Sequence, residues 1–259
     1  MARRPIAGLR VIVSGASSGI GRELARQLCQ DGAKVVALAR RADRLEALAE
    51  ELAVPNQLVC LAGDVTQPAD RRRALDEAQR KFGGLDALVN NAGRGAIGPF
   101  AAADPSRLRE IFEVNFFAAV EFIREALPLL RQGTTPIIVN VSSVLGHRAV
   151  PRKSEYCASK FALHGFSDAL RAELAAEGID VLLASPSTTE SEFFTQAVGD
   201  NKSRPGRFGV MTAPAVARCI VAAMRAGKHE IILSAGGNFL VWLDRLCPPL
   251  ANWIMARWG

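Results

Sequence analysis

A chain of 259 residues, 49% hydrophobic and 22% charged, is long enough to bury one sizeable core and needs no second domain to do so. Its net charge of +6 permits attraction to phosphates or an anionic membrane, but aromatics are only 6% and mostly avoid the basic runs, which argues against a platform for stacking nucleic-acid bases. Cys29, Cys60, Cys157, Cys219 and Cys247 are scattered and odd in number, without a Cys-x-x-Cys pair or a Cys/His cluster at ligand spacing, so no metal is expected and a reducing compartment is.

The apolar run from Leu9 to Val13 begins the first strand almost at once, which leaves little room for a secretory leader and points to a cytoplasmic protein. Ser14-Gly-Ala-Ser-Ser-Gly-Ile-Gly21 then turns into the helical pattern of Leu24, Ala25 and Leu28. A strand, a glycine turn and a helix start make an anion site, because absent side chains let the backbone approach a pyrophosphate that faces the helix N-terminus. Gly15, Gly19 and Gly21 have the spacing G-x-x-x-G-x-G, which is not that of the usual dinucleotide fingerprint.

Lys34 to Ala39 reads as a second buried strand, and its end bears on the cofactor. A unit that binds NAD wants an acid there for the ribose 2′-hydroxyl; this chain offers Arg40 and Arg41, whose guanidinium forks match a 2′-phosphate. NADP(H) is therefore expected over NAD, although the two arginines could simply open the exposed helix from Arg41 to Leu52.

Gln57 to Ala62 is a third strand, ending at Asp64-Val65, where the acid could receive an adenine amino group or cap the helix that starts near Gln67. In that helix the run Arg71-Arg72-Arg73 is expected to be a solvated face. Leu85 to Val89 is a fourth strand and runs into Asn90-Asn91-Ala92-Gly93, whose amides and glycine suit a loop at a strand end against a ligand. Pro105 to Leu130 reads as one long helix in which Asn115 lies among apolar residues and needs a partner, either a group of the protein or a water in a proton path.

Thr135 to Val141 is a fifth strand that delivers Ser142 and Ser143 to its carboxyl edge. Ser154 to Ala176 is a helix on which Tyr156, the chain's single tyrosine, stands four residues before Lys160. That spacing stacks phenol and ammonium on one face, where the charge is expected to lower the phenol's pKa and make it a usable acid and base. Strands alternating with helices signal a parallel α/β sheet with helices on both faces, and ligands of such sheets lie beyond the carboxyl ends of the strands.

Assembled in this order, SGASSGIG, Asp64-Val65, NNAG, Asn115, VSS at 141–143 and YCASK at 156–160 resemble the short-chain dehydrogenase/reductase family, from about Leu9 to Leu233. The resemblance implies a single-domain, Rossmann-like, doubly wound parallel sheet of about seven strands. It implies Asn115, Ser143, Tyr156 and Lys160 as catalytic residues, with Ser143 holding the substrate oxygen, Tyr156 exchanging its proton, Lys160 lowering the tyrosine's pKa and Asn115 positioning a water. Cofactor contacts are expected from Gly15, Ser17, Ser18, Gly19, Ile20, Gly21, Arg40, Arg41, Asp64, Val65, Asn91, Ala92, Gly93, Tyr156, Lys160, Pro186, Thr189 and Ser191. Two positions depart from the family pattern: Ser187 replaces the glycine after Pro186, and Ser191 stands where a threonine is usual. A homo-oligomer acting on a small carbonyl or alcohol is also implied; a nucleotide-sensing or lipid-binding protein without turnover is the alternative.

The segment from Ser187 to Met211 is irregular and implied by the resemblance to cover the substrate, with Phe193 and Phe194 either lining an apolar pocket or anchoring a short helix. Residues 1–237 are expected to form the nucleotide-binding domain and 238–259 an apolar tail holding Trp242, Trp253 and Trp258. The tail is too interrupted to span a bilayer, and three settings stay open for it: packing on the body, a partner subunit, or a peripheral membrane contact at which a lipid-like substrate enters.

Overall fold

The computed structural model describes residues 4–190, 192–193, 197–199 and 210–258. Seven strands, β1 (Arg10–Ser14), β2 (Lys34–Ala39), β3 (Leu58–Ala62), β4 (Ala87–Asn90), β5 (Ile137–Val141), β6 (Asp180–Ser185) and β7 (Glu230–Ile232), form one sheet. The strands are all parallel and lie in the order β7-β6-β5-β4-β1-β2-β3. The order reverses between β1 and β4, which opens a crevice at the carboxyl ends of those two strands.

Period-2 alternation divides the strands between two apolar layers. Val11, Val13, Val35, Ala37, Val139 and Val141 face one layer, which α1 (Gly19–Gln30) and a later helix, Ala213–Ala226, cover; Ile12, Val36, Leu38, Leu88 and Ile138 face the other. That second layer is closed by α3 (Pro68–Phe82), which follows α2 (Ala42–Leu52), and by residues of the helices that follow β4 and β5.

The expected single helix from Pro105 to Leu130 is three pieces: α4 (Pro105–Phe112), a π-helical turn (Glu113–Phe117) and α5 (Ala118–Leu130). The wide turn surrounds Asn115, whose buried amide is met by backbone outside the helix. A second difference concerns Arg71, which is buried rather than solvated: it donates to Glu125 Oε1 at 2.8 and 3.2 Å and to Val65 O at 2.9 Å, tying α3 to α5, while Arg72 and Arg73 are exposed. Helix α6 (Ser154–Leu174) follows β5, α7 is the helix Ala213–Ala226, and α8 (Ala235–Leu246) and α9 (Pro248–Trp258) close the chain. No helix among the described residues is long and apolar enough to cross a membrane.

Candidate active site

Ser14 ends β1 with its hydroxyl accepting from the backbone N–H groups of Asn91 (3.0 Å) and Ala92 (3.1 Å) and donating to Val89 O (3.2 Å). The glycine turn and the 90–93 loop are thereby clamped together at the reversal point. Gly15 has φ +69°, and a Cβ there would lie 2.8 Å from Ala92 Cα; a Cβ on Gly21 would meet Gly15 O and Asn91 Nδ2 at 2.3 Å. The N-cap of α1, Ser18, makes no capping hydrogen bond with its side chain and no acid lies in the first turn, so the amides of that helix start face the crevice without an internal anion.

Asn115 Oδ1 accepts from Arg94 N at 2.8 Å, and its Nδ2 donates to Arg94 O at 3.0 Å and Ser159 Oγ at 2.9 Å. Ser159 Oγ in turn donates to Tyr156 O at 2.8 Å, so a buried polar chain joins the end of the NNAG loop to the backbone of α6. Of the two fates expected for Asn115, its amide has taken protein partners. Gly93 stands between Asn115 and Lys160, its hypothetical Cβ 3.3 Å from Asn115 Oδ1 and 3.8 Å from Lys160 Nζ.

The Tyr156 phenol is buried and close enough to the Ser143 hydroxyl for that group to act on its pKa. Ser143 is held by Leu145 N, which donates to its Oγ at 3.1 Å, and lies 3.5 Å from Pro186 O. Lys160 Nζ is 5.9 Å from the Tyr156 ring centroid and donates to Val141 O at 2.9 Å. Burial lowers the ammonium to about 8. The phenol departs from the sequence expectation: burial pushes its pKa above the ordinary value, outweighing the lowering by Ser143, because at this separation Lys160 does not compensate for lost solvent. Leu145 and Phe193 pack against the group of Tyr156, Ala96 and Ile111, with the Phe193 ring edge-on at 5.6 Å.

A match to the short chain dehydrogenase family model covers residues 10–202. The chain belongs to that family. Dehydrogenase/reductase SDR family member 7B of Bos taurus is 32% identical over 259 residues, covering 95% of this chain and 80% of the relative. 11-beta-hydroxysteroid dehydrogenase 1A of Arabidopsis thaliana is 36% identical over 262 residues, covering 95% and 74%. A short chain dehydrogenase from Burkholderia cenocepacia in complex with NADP superposes with TM-score 0.83 at 26% identity, covering 97% of this chain and 99% of that one. A 3-ketoacyl-(acyl-carrier-protein) reductase from Brucella melitensis complexed with NADH gives 0.79 at 27%, covering 88% and 96%. This short-chain dehydrogenase is accordingly an oxidoreductase of the class that interconverts CH–OH and carbonyl groups, and its glycine cradle and uncapped helix start fit a nicotinamide dinucleotide.

Ile20 and the buried Gly21 begin α1, and Val65 is buried beside Asp64, whose Oδ1 accepts from Thr66 N and Thr66 Oγ1 at 2.9 Å. That turn, rather than a cap on α3, is where the Asp64 side chain goes. Pro186 follows β6 with its carbonyl 3.5 Å from Ser143 Oγ, Thr189 is buried and donates to Ser187 O, and Ser191 and Phe194 lie outside the described residues. Arg40 is exposed. Arg41 folds back over the glycine turn and donates to Ser17 Oγ (3.1 and 3.2 Å) and Ser18 Oγ (2.6 Å).

Sequence reasoning missed Arg44 and Glu192. The Glu192 carboxylate takes Arg41 Nη1 on one oxygen and Arg44 Nη1 on the other, each at 3.0 Å. Arg44 follows Arg41 by three positions at the start of α2, a helical spacing that could have signalled a pair; Glu192 comes from 151 residues further on and carried no such signal. Asn140 was missed as well: Asn90, read with the loop, donates its Nδ2 to Asn140 Oδ1 (3.0 Å), and Asn140 Nδ2 donates to Ser167 Oγ (2.9 Å), which fixes α6 against β4 and β5.

Proposed function

We infer that this protein is an NADP(H)-dependent oxidoreductase of a carbonyl or secondary alcohol on an apolar, lipid- or steroid-like substrate, with Tyr156 as general acid and base. The observation that carries the reading is the Tyr156 phenol, buried beside Ser143 and Lys160 at the carboxyl edge of the sheet. Bound nicotinamide supplies or takes the hydride. Ser143 orients the substrate oxygen by a hydrogen bond, and Tyr156 gives that oxygen a proton in reduction or takes one in oxidation. A phenol whose pKa is raised by burial is fully protonated near neutral pH, the form that reduction requires. Asn115 and Ser159 hold the phenol's backbone in register with the NNAG loop. The cradle of Gly15, Gly19 and Gly21 would hold the pyrophosphate, with Asn91, Ala92 and Gly93 beside the ring-bearing half.

The preference for NADP(H) rests on Arg41 and Arg44, two guanidinium groups on one carboxylate at the end of β2, with no acid at Ala39 to Arg41. The apolar substrate class is supported by Leu145 and Phe193 around the phenol, and by relatives named for hydroxysteroids. The tail reading is narrowed by exposure: Phe239 is 68% exposed, Trp242 53%, Leu246 77% and Trp253 53%. Arg245 and Arg257 lie over the rings of Trp242 and Trp253, so this face combines aromatic and cationic groups as a membrane-surface element does. We take it as a peripheral membrane contact of a cytoplasmic homo-oligomer whose nucleotide-binding domain is residues 1–237, with α8 starting three residues before the tail boundary expected at 238.

The test is a panel of ketones, aldehydes and ketosteroids assayed with NADPH and with NADH. The expected result is turnover of apolar ketones with NADPH favoured. Turnover of none of them, or a preference for NADH, overturns the substrate and the cofactor parts respectively.

A further inference from the structure

His147 follows the short turn Val144–Gly146 after β5, His164 stands on α6 one turn beyond Lys160, and Glu230 opens β7. These three, distant in sequence, each offer a ligand atom within 4.8 Å of the others. His147 Nε2 lies 3.6 Å and His164 Nε2 3.8 Å from Glu230 Oε1. Bonds of about 2.1 Å to a tetrahedral ion put neighbouring ligand atoms roughly 3.4 Å apart, so small adjustments suffice. Asp168 Oδ2 is 3.3 Å from His164 Nε2, with its Oδ1 taken by Arg171 at 2.8 Å.

The chemistry of each group points the same way. His164 Nδ1 is 3.2 Å from Gly146 O, an acceptor only, so Nδ1 carries a proton, while Nε2 faces the Asp168 and Glu230 carboxylates. An outer hydrogen bond to a backbone carbonyl is the support that ligating histidines use. The His147 side chain is 2% exposed; its Nδ1 has no hydrogen-bond partner among the described residues, and its Nε2 is 2.9 Å from Ser185 Oγ, the contact an ion would replace. A cavity of about 320 Å³ reaches the two histidines, lined by His147, Phe161, His164, Asp168, Val241 and Arg245, and gives room for water beside them.

We propose that His147, His164 and Glu230 form a binding site for a borderline divalent metal ion, Zn²⁺ in the first instance, with Asp168 and water at its open side. Two imidazoles and a carboxylate suit zinc better than magnesium, which prefers oxygen and retains its water. The ion would join the turn that carries Ser143, the helix that carries Tyr156 and Lys160, and the edge strand β7. It would lie outside the catalytic group and act as a brace on the elements that present it.

The test uses the full chain and zinc chloride. After equilibration and removal of free metal, elemental analysis is expected to find one zinc per chain in the wild type, and calorimetric titration to give a Kd weakened at least tenfold in both His164→Ala and Glu230→Gln. Glu230 is partly exposed, so Glu230→Gln keeps its fold and its circular dichroism. Cys247, an exposed thiol, is the competing ligand; Cys247→Ser is expected to bind zinc as the wild type does, and excess magnesium chloride to leave the titration unchanged. Absence of binding up to millimolar zinc, unchanged binding in the two cluster variants, or loss in Cys247→Ser overturns the proposal.

Discussion

Two buried groups, Tyr156 and Lys160, lie side by side with burial acting on them in opposite directions: it raises the phenol and lowers the ammonium to about 8. The lysine case has a thermodynamic consequence. Unfolded, the ammonium titrates near 10.4; folded, near 8, so below pH 8 the whole cost of burying the charge is present, and it is relieved as pH rises from 8 toward 10 because the unfolded chain then binds more protons. Lys160→Met is therefore expected to raise stability at pH 7 by on the order of 1–3 kcal/mol while removing activity. Denaturation profiles of wild type and variant should converge between pH 8 and 10; parallel profiles would refute the buried ammonium. A second residue-scale expectation concerns Glu192. Its carboxylate occupies the same two guanidinium groups that would read a 2′-phosphate, so Glu192→Gln should tighten NADPH roughly two- to fivefold and leave NADH unchanged. Equal effects on both cofactors, measured by fluorescence titration, would separate Arg41 and Arg44 from phosphate recognition.

Helix α6 shows what was legible at the scale of elements and what was not. Its existence and the shared face of Tyr156 and Lys160 followed from local spacing, as did β2, whose bounds Lys34 to Ala39 the periodicity gave directly. Its anchors did not, because they come from elsewhere in the chain: Asn140 to Ser167, Asn115 to Ser159, and Arg107 to Glu155. Arg107 on α4 donates to Glu155 Oε1 at 2.6 and 2.9 Å, with side chains only 6% and 3% exposed, immediately before Tyr156. Breaking such a pair strands a charge, so Arg107→Met is expected to cost about 3–5 kcal/mol, and Arg107→Met with Glu155→Met together much less. Urea denaturation of both single variants and the double variant checks this; a double-variant loss equal to the sum of the two single losses would mean the pair is not coupled. The π-helical turn at Asn115 was equally hidden, since a continuous helical pattern runs through it and only the distant Arg94 backbone explains the widening.

At the scale of the molecule, alternation of strands and helices was enough to read a parallel sheet, and the motifs at successive strand ends were enough to place one crevice on its carboxyl edge. The Arg71 to Glu125 tie and the Glu192 bridge were beyond local pattern, because a charged residue looks solvated until its distant partner is known. The tail could be read as apolar but not as outward-facing. With Trp242 and Trp253 presented to solvent beneath arginines, cosedimentation with anionic phospholipid vesicles is expected, and Trp242→Ala with Trp253→Ala should reduce it severalfold. No cosedimentation, with the wild type oligomeric and the variant monomeric by light scattering, would assign the face to a subunit contact instead. If the Tyr156 phenol moves the proton, NADPH-dependent ketone reduction by Tyr156→Phe falls roughly 10²- to 10⁴-fold in kcat below that of the wild type, with NADPH still bound when its affinity is measured alongside. Equal rates in the two proteins would show that the proton comes from elsewhere.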